Sequence, residues 1–164
     1  MADSKQLYQE VILDHNKRPR NFRAIDNPTR TTRGHNPLCG DRLTLYLVLQ
    51  DDRIVDVAFE GSGCAISKAS ASLMTEAVKG KTVADAEALF ERFHELVTAP
   101  ADAPVSTAGL GKLAVFGGVR DLPTRVKCAI LPWHTLYAAF NAIESTTTEA
   151  DADPMHAPMM GSGA

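Results

Sequence analysis

The stretch CGDRLTLYLVLQDDRIVDVAFEGSGC, residues 39–64, decides the fold. Leu43, Leu45, Leu47 and Leu49 alternate with Thr44, Tyr46, Val48 and Gln50, the period of two of a strand with one apolar face. Val55, Val57 and Phe59 alternate with Ile54, Asp56, Ala58 and Glu60, so a second strand follows. Asp51 and Asp52 between them make a two-residue turn, because Asp tolerates left-handed backbone angles. The hairpin spans residues 43–50 and 53–60, with its turn centred between 51 and 52. Cys39 and Cys64 lie equally far from that centre. A regular register therefore brings the two thiols side by side where the strands open, with Asp41 beside them.

Working back from the hairpin, residues 4–18 read as an amphipathic helix. Leu7, Tyr8, Val11, Ile12 and His15 share one face, Ser4 is a candidate cap and Pro19 closes the helix. Residues 20–38 hold Pro28, Gly34 and Pro37 with little apolar periodicity, and read as a long surface loop delivering the chain to Cys39.

Beyond the hairpin, Gly61 and Gly63 flank Ser62 and leave room for a close approach at Cys64. A helix starts there. Its buried face is Ile66, Ala69, Leu73 and Val78, while Ser67, Ser70, Ala71 and Ser72 keep the first turns slim. Its N-terminal N–H groups favour a thiolate at Cys64. Thr82 and Asp85 form a capping-box-like start for a helix through Val97, whose stripe of Val83, Ala86, Phe90, Phe93 and Val97 reads as core. Residues 99–111 make a Pro-, Ala- and Gly-rich linker to a short apolar piece, Lys112 to Phe116. Asp121 to Thr124 then open a last helix with Val126, Ala129, Ile130, Trp133, Tyr137 and Phe140 on one side. Pro132 predicts a kink or restart near Leu131. One domain spans residues 1–144, and residues 145–164, lacking a core-forming pattern, read as a disordered tail.

With 164 residues, 45% of them hydrophobic, the chain has material for one core. A net charge of -3 gives no electrostatic footprint for nucleic acid, although Lys17, Arg18, Arg20, Arg23, Arg30 and Arg33 form a local basic run. The amino-terminal MADSKQLYQE carries charges where a signal peptide needs apolar residues, and no stretch is long and apolar enough to span a bilayer. A cytoplasmic protein with no membrane association is expected. Every strong apolar stripe has an internal use, so a monomer is expected too.

Three cysteines cannot all pair within one chain, and in a reducing compartment they read as ligands or reactive thiols. Cys39, Asp41, Cys64 and Cys128 form the candidate constellation, since three thiolates and one carboxylate suit tetrahedral zinc. The spacing C-x24-C-x63-C is no finger or ribbon pattern, and three unrelated buried cysteines are the competing reading. Such a zinc site would carry a formal charge of about -2, which calls for a cation nearby. Arg125, one helical turn before Cys128, is placed to supply it, with Lys127 second; an exposed helix cation is the alternative for Arg125. The histidines do not group with the cysteines. His35, four residues before Cys39, is the nearest in sequence.

The blocks LYQEVILDHNKRPRN (7–21), NPLCGD (36–41), FEGSGCAISKASASLM (59–74) and RVKCAILPW (125–133) resemble the IscU/SufU superfamily of iron-sulfur cluster assembly proteins. The resemblance implies an α+β fold, SufE/NifU-like, with a small antiparallel sheet centred on the hairpin and packed against helices. It covers two kinds of work. IscU-type scaffolds, on which a [2Fe-2S] cluster is assembled, carry a His directly before the third cysteine. Here that residue is Lys127, and the interval from Cys64 to Cys128 is longer, with the extra length around residues 99–120. Both departures resemble the SufU type. They imply a zinc-dependent sulfurtransferase that holds zinc by Cys39, Asp41, Cys64 and Cys128 and takes persulfide sulfur onto Cys39 from a SufS-type cysteine desulfurase. The implied exchange begins when a histidine of that partner displaces Cys39 from zinc. A downstream Suf scaffold or another acceptor would then receive the sulfur.

Overall fold

The computed structural model describes residues 4–100 and 102–148. Helix α1 (Ser4–Lys17) is followed by strands β1 (Arg30–Asn36), β2 (Asp41–Gln50) and β3 (Arg53–Ser62). Helices α2 (Ala65–Val78) and α3 (Val83–Thr98), a run of 3-10 turns (Gly111–Asp121), helix α4 (Pro123–Phe140) and strand β4 (Ser145–Thr147) complete it. The fold class is α+β. The sheet order is β3-β2-β1-β4, and β4 pairs parallel with β1, so the sheet is mixed rather than wholly antiparallel.

The hairpin forms with Asp51 at φ 56° in its two-residue turn, but it is not regular. Next to the turn Leu49 pairs with Ile54; one step on, Val48 pairs with Asp56, leaving Val55 as an extra residue in a bulge. Ile54 therefore joins the core face and Val55 turns outward, 44% exposed, which reverses the expected placing of those two side chains. Leu45 faces Phe59 and Leu47 faces Val57 on the buried side.

Two further expectations change. The loop expected over residues 20–38 contains β1, whose inward residues are Thr32, Gly34 and Asn36, so no apolar alternation announces it. The tail expected from Ser145 begins with β4; residues 149–164 lie outside the described residues. Residues 21–23 then line the free edge of β3, where Asn21 O accepts from Phe59 N at 3.0 Å and Phe59 O from Arg23 N at 3.0 Å.

Helix α4 is the central post. Residues Cys128 to Leu136 are buried all round, between the sheet, α2, α3 and the 3-10 turns. It runs through Pro132 without the expected restart, although the missing N–H there leaves the Cys128 carbonyl without its helical donor. Side chains hold the surrounding turns: Ser70 Oγ donates to Ala129 O at 2.6 Å and Thr135 Oγ1 to Leu131 O at 2.8 Å. Trp133 stacks on Phe93 at 4.9 Å and Phe90 at 5.9 Å, so the α3 stripe is core as expected. Gly34 of β1 lies so close to Thr135 that a Cβ there would overlap its hydroxyl. Alpha-helix α1 crosses the slim serine face of α2, where Ser72 Oγ meets His15 Nδ1 at 2.7 Å and accepts from Arg20 N at 2.8 Å.

Candidate metal centre

Three elements deliver the site. The tight turn between β1 and β2 carries Cys39; Gly40, at φ 74°, supplies the left-handed residue that lets β2 begin at Asp41. The end of β3 delivers Cys64 to the start of α2, and α4 delivers Cys128 from within the core. Cys39 Sγ, an Asp41 oxygen and Cys128 Sγ lie within 4.8 Å of one another, and the two sulfurs are 3.0 Å apart. Asp41 and Cys128 are fully buried, while Cys39 and Cys64 are partly exposed.

Cys64 joins through Asp41. Its N–H donates to Asp41 Oδ1 at 2.8 Å, and its Sγ lies 3.7 Å from Oδ2. Gly63 is required here, because a Cβ at that position would sit 2.7 Å from Asp41 Oδ1. The bulge ends the hairpin pairing at Arg42 opposite Ser62, one residue out of the symmetric phase that would set Cys39 against Cys64. The two feet are instead joined through Asp41 and Cys128.

As expected of a residue at a helix start, Cys64 is the N-cap of α2, its sulfur accepting from Ser67 N at 3.4 Å. Without metal its thiol pKa is pulled down to about 6, first by a hydrogen bond from Cys128 and then by the Ser67 and Ile66 N–H groups, against the effect of burial. The same hydrogen bond to Cys64, with burial and the contact to Cys39, pushes Cys128 upward.

Arg125 is exposed at the head of α4, and its guanidinium is held charged more firmly than usual, first by a hydrogen bond to Cys128 and next by the charge of Cys64. Its positive charge lies close enough to interact with Cys64, Cys128 and Cys39. Tyr8 of α1 is also near: burial raises its phenol pKa, with Arg125 opposing and Cys64 adding to the shift. His35 lies on the face of β1 opposite to Asn36 and is not in the group.

Sequence reading missed Asn36. This fully buried residue closes β1, and its Nδ2 approaches Cys128 Sγ at 3.6 Å. Its main-chain oxygen accepts from Gly40 N at 2.8 Å and Cys39 N at 3.3 Å. The Asn-Pro pair at 36–37 signals a turn, but nothing in the sequence signals an amide facing a sulfur.

The sequence pattern of the NifU-like N terminal domain matches residues 7–129 of this chain. The chain belongs to that family. Among its relatives, the zinc-dependent sulfurtransferase SufU of Bacillus subtilis is 39% identical over 135 residues, covering 82% of this chain and 90% of the relative. The iron-sulfur cluster assembly scaffold protein IscU of Streptococcus pyogenes is 40% identical over 141 residues, covering 85% and 87%. Overall identity thus does not separate the two branches of the NifU-like family. The crystal structure of the iron-sulfur cluster assembly scaffold protein for the SUF system (FiSufU) from Fervidobacterium islandicum AW-1 superposes with a TM-score of 0.75 at 38% identity, covering 84% of this chain and 98% of that one.

Proposed function

We propose that this chain acts in iron-sulfur cluster assembly as a zinc-dependent sulfurtransferase of the SufU type, taking sulfur from a SufS-type cysteine desulfurase onto Cys39. The observation that carries the reading is the difference in depth within one donor group: Cys39 is reachable on a turn, while Asp41 and Cys128 beside it are sealed. Lys127 before Cys128, where IscU-type scaffolds carry His, supports the sulfurtransferase branch.

The donor set fits zinc. Asp41 is a fully buried carboxylate that accepts from Cys64 N at 2.8 Å and lies with two sulfurs in one group. A buried carboxylate of that kind calls for a cation. Cys39, Asp41, Cys64 and Cys128 would hold zinc, which when bound keeps its thiol ligands deprotonated.

The remaining chemistry belongs to the chain. The Cys39 thiolate attacks the outer sulfur of the desulfurase persulfide; a new S–S bond forms on Cys39, the donor S–S bond breaks, and the desulfurase cysteine leaves as a thiolate. Arg125 supplies positive charge beside the sulfurs as the anionic donor approaches. Cys128 and Asp41 stay in place, holding the pocket while Cys39 is loaded.

Native mass spectrometry before and after treatment with the desulfurase and cysteine tests this reading. One zinc per chain, a gain of one sulfur on Cys39 and its loss in Cys39→Ala are expected. A zinc-free chain that gains no sulfur overturns it. The nearly equal identity to an IscU gives the scaffold reading its standing. That reading predicts a coloured, transferable [2Fe-2S] cluster after anaerobic reconstitution with iron and sulfide.

A further inference from the structure

We propose that Asn36 is a positioning residue of the cysteine site, whose single buried amide fixes the Cys39 turn and the Cys128 sulfur relative to each other. The inference rests on the metal-site reading above.

The amide has one possible orientation. Its Oδ1 accepts from Leu38 N at 3.1 Å and from Thr148 Oγ1 at 3.1 Å, and two donors use both lone pairs of a carbonyl oxygen. The NH2 group is therefore turned towards Cys128 Sγ, 3.6 Å away. Meanwhile the Asn36 main-chain oxygen ties down the N–H groups of Cys39 and Gly40. One residue with no solvent exposure thus grips the turn that carries the accessible thiol and touches the sealed one. Thr148, just past β4, orients the amide from behind, and its own N–H donates to His35 O at 3.1 Å. The last strand, which contributes no ligand, is in this way part of the holder. Groups of this kind, one shell out from a metal, orient the ligands and govern how tightly the ion is held.

Asn36→Asp is the sharpest variant. It keeps an oxygen for Leu38 and Thr148 but sets a second oxygen against the Cys128 sulfur. Zinc bound to the full chain is titrated against a chromophoric chelator, and melting of the metal-free protein is measured alongside. N36D should give up zinc roughly 10–100 times more readily, with metal-free melting lowered by the buried carboxylate; zinc held as tightly as in wild type overturns the proposal. If N36D does not fold, Thr148→Val decides, since it removes only the hydroxyl that orients Oδ1. Weaker zinc binding there supports the proposal and unchanged binding overturns it. If the wild-type chain itself holds no zinc, the sulfurtransferase reading fails separately, and Asn36 is judged on the metal-free thiols. Diamide then closes a Cys39–Cys128 disulfide, followed as a linked-peptide mass. Closure several-fold slower in N36D supports the positioning role, and equal closure overturns it.

Discussion

The sulfurs of Cys39 and Cys128 stand 3.0 Å apart, yet the first is partly exposed on a turn and the second is sealed in the core. Chemical modification should follow that depth. In the metal-free protein a small alkylating reagent labels Cys39 ahead of Cys128, because a thiol needs access as well as ionisation to react. Peptide mass mapping over a time course reads the order. Equal rates would contradict the burial of Cys128.

Gly63→Ala should damage the site from outside the ligand set. The added Cβ would lie 2.7 Å from Asp41 Oδ1 and 3.0 Å from Cγ, so the carboxylate must shift. A loss of about 1–3 kcal/mol in unfolding free energy is expected, together with weaker metal binding. Gly40→Ala is the control: at φ 74° with nothing within 4 Å of the new Cβ, it meets backbone strain alone, about 1 kcal/mol. Equal behaviour of the two variants in denaturant titration and chelator competition would refute the contact with Asp41.

The bulge predicts very different costs for truncating two adjacent residues. Ile54 is fully buried, so Ile54→Ala should cost about 2–5 kcal/mol. Val55 faces solvent, and Val55→Ala should stay within about 0.5 kcal/mol of wild type. Urea unfolding of both variants distinguishes the bulged register from a regular one, which would reverse the two effects.

Gly34 and Thr135 should behave as a coupled pair. A Cβ on Gly34 overlaps the Thr135 hydroxyl and comes within 3.2 Å of Leu131 Cδ1, so Gly34→Ala is destabilising. Removing the hydroxyl in a Gly34→Ala/Thr135→Ala double variant should restore part of the loss. A coupling energy of about 0.5–3 kcal/mol is expected. Strict additivity in a double-mutant cycle would show that β1 and α4 are not packed as described.

His15 predicts the acid side of the stability profile. Its pKa is held below the usual range by burial first and then by Arg20, with Lys112 adding, while Glu76 and Asp14 oppose. In the unfolded chain the ring takes its proton near about pH 6.5. The folded chain takes it only at lower pH, so the unfolded state binds more protons as pH falls through that value, and stability declines. The contribution is present above the unfolded pKa and is lost on acidification. Urea unfolding free energies between about pH 7.5 and pH 5.5 should fall, and His15→Gln should flatten part of the slope. An unchanged slope in the variant would assign the effect elsewhere.

Much of this architecture is legible in the sequence where apolar residues recur with a clear period. The leucines of β2, the α3 stripe and the serine face of α2 all lie where their spacing puts them. Strand β1 is illegible for a physical reason: its inward side is Thr32, Gly34 and Asn36, chosen for close approach to α4 and for hydrogen bonding rather than for apolar area. The bulge is hidden because Val55, Val57 and Phe59 make as good an alternation as the one the chain adopts, and only the packing of Ile54 decides between them. Strand β4 is three polar residues whose pairing depends on a neighbour more than 100 positions away. At the site, residue types that bind metal announce Cys39, Asp41, Cys64 and Cys128. Asn36 has no such chemistry of its own and acquires a role only from what stands beside it.

Depth in the site also sets an order in time. Cys39 and Cys64 meet solvent, whereas Asp41 and Cys128 lie behind them. Once the chain has folded, an arriving ion, sulfur donor or oxidant encounters the outer pair first, and the inner pair is reached only past them. All access to the four residues thus runs through one doorway, the side on which Cys39 and Cys64 stand.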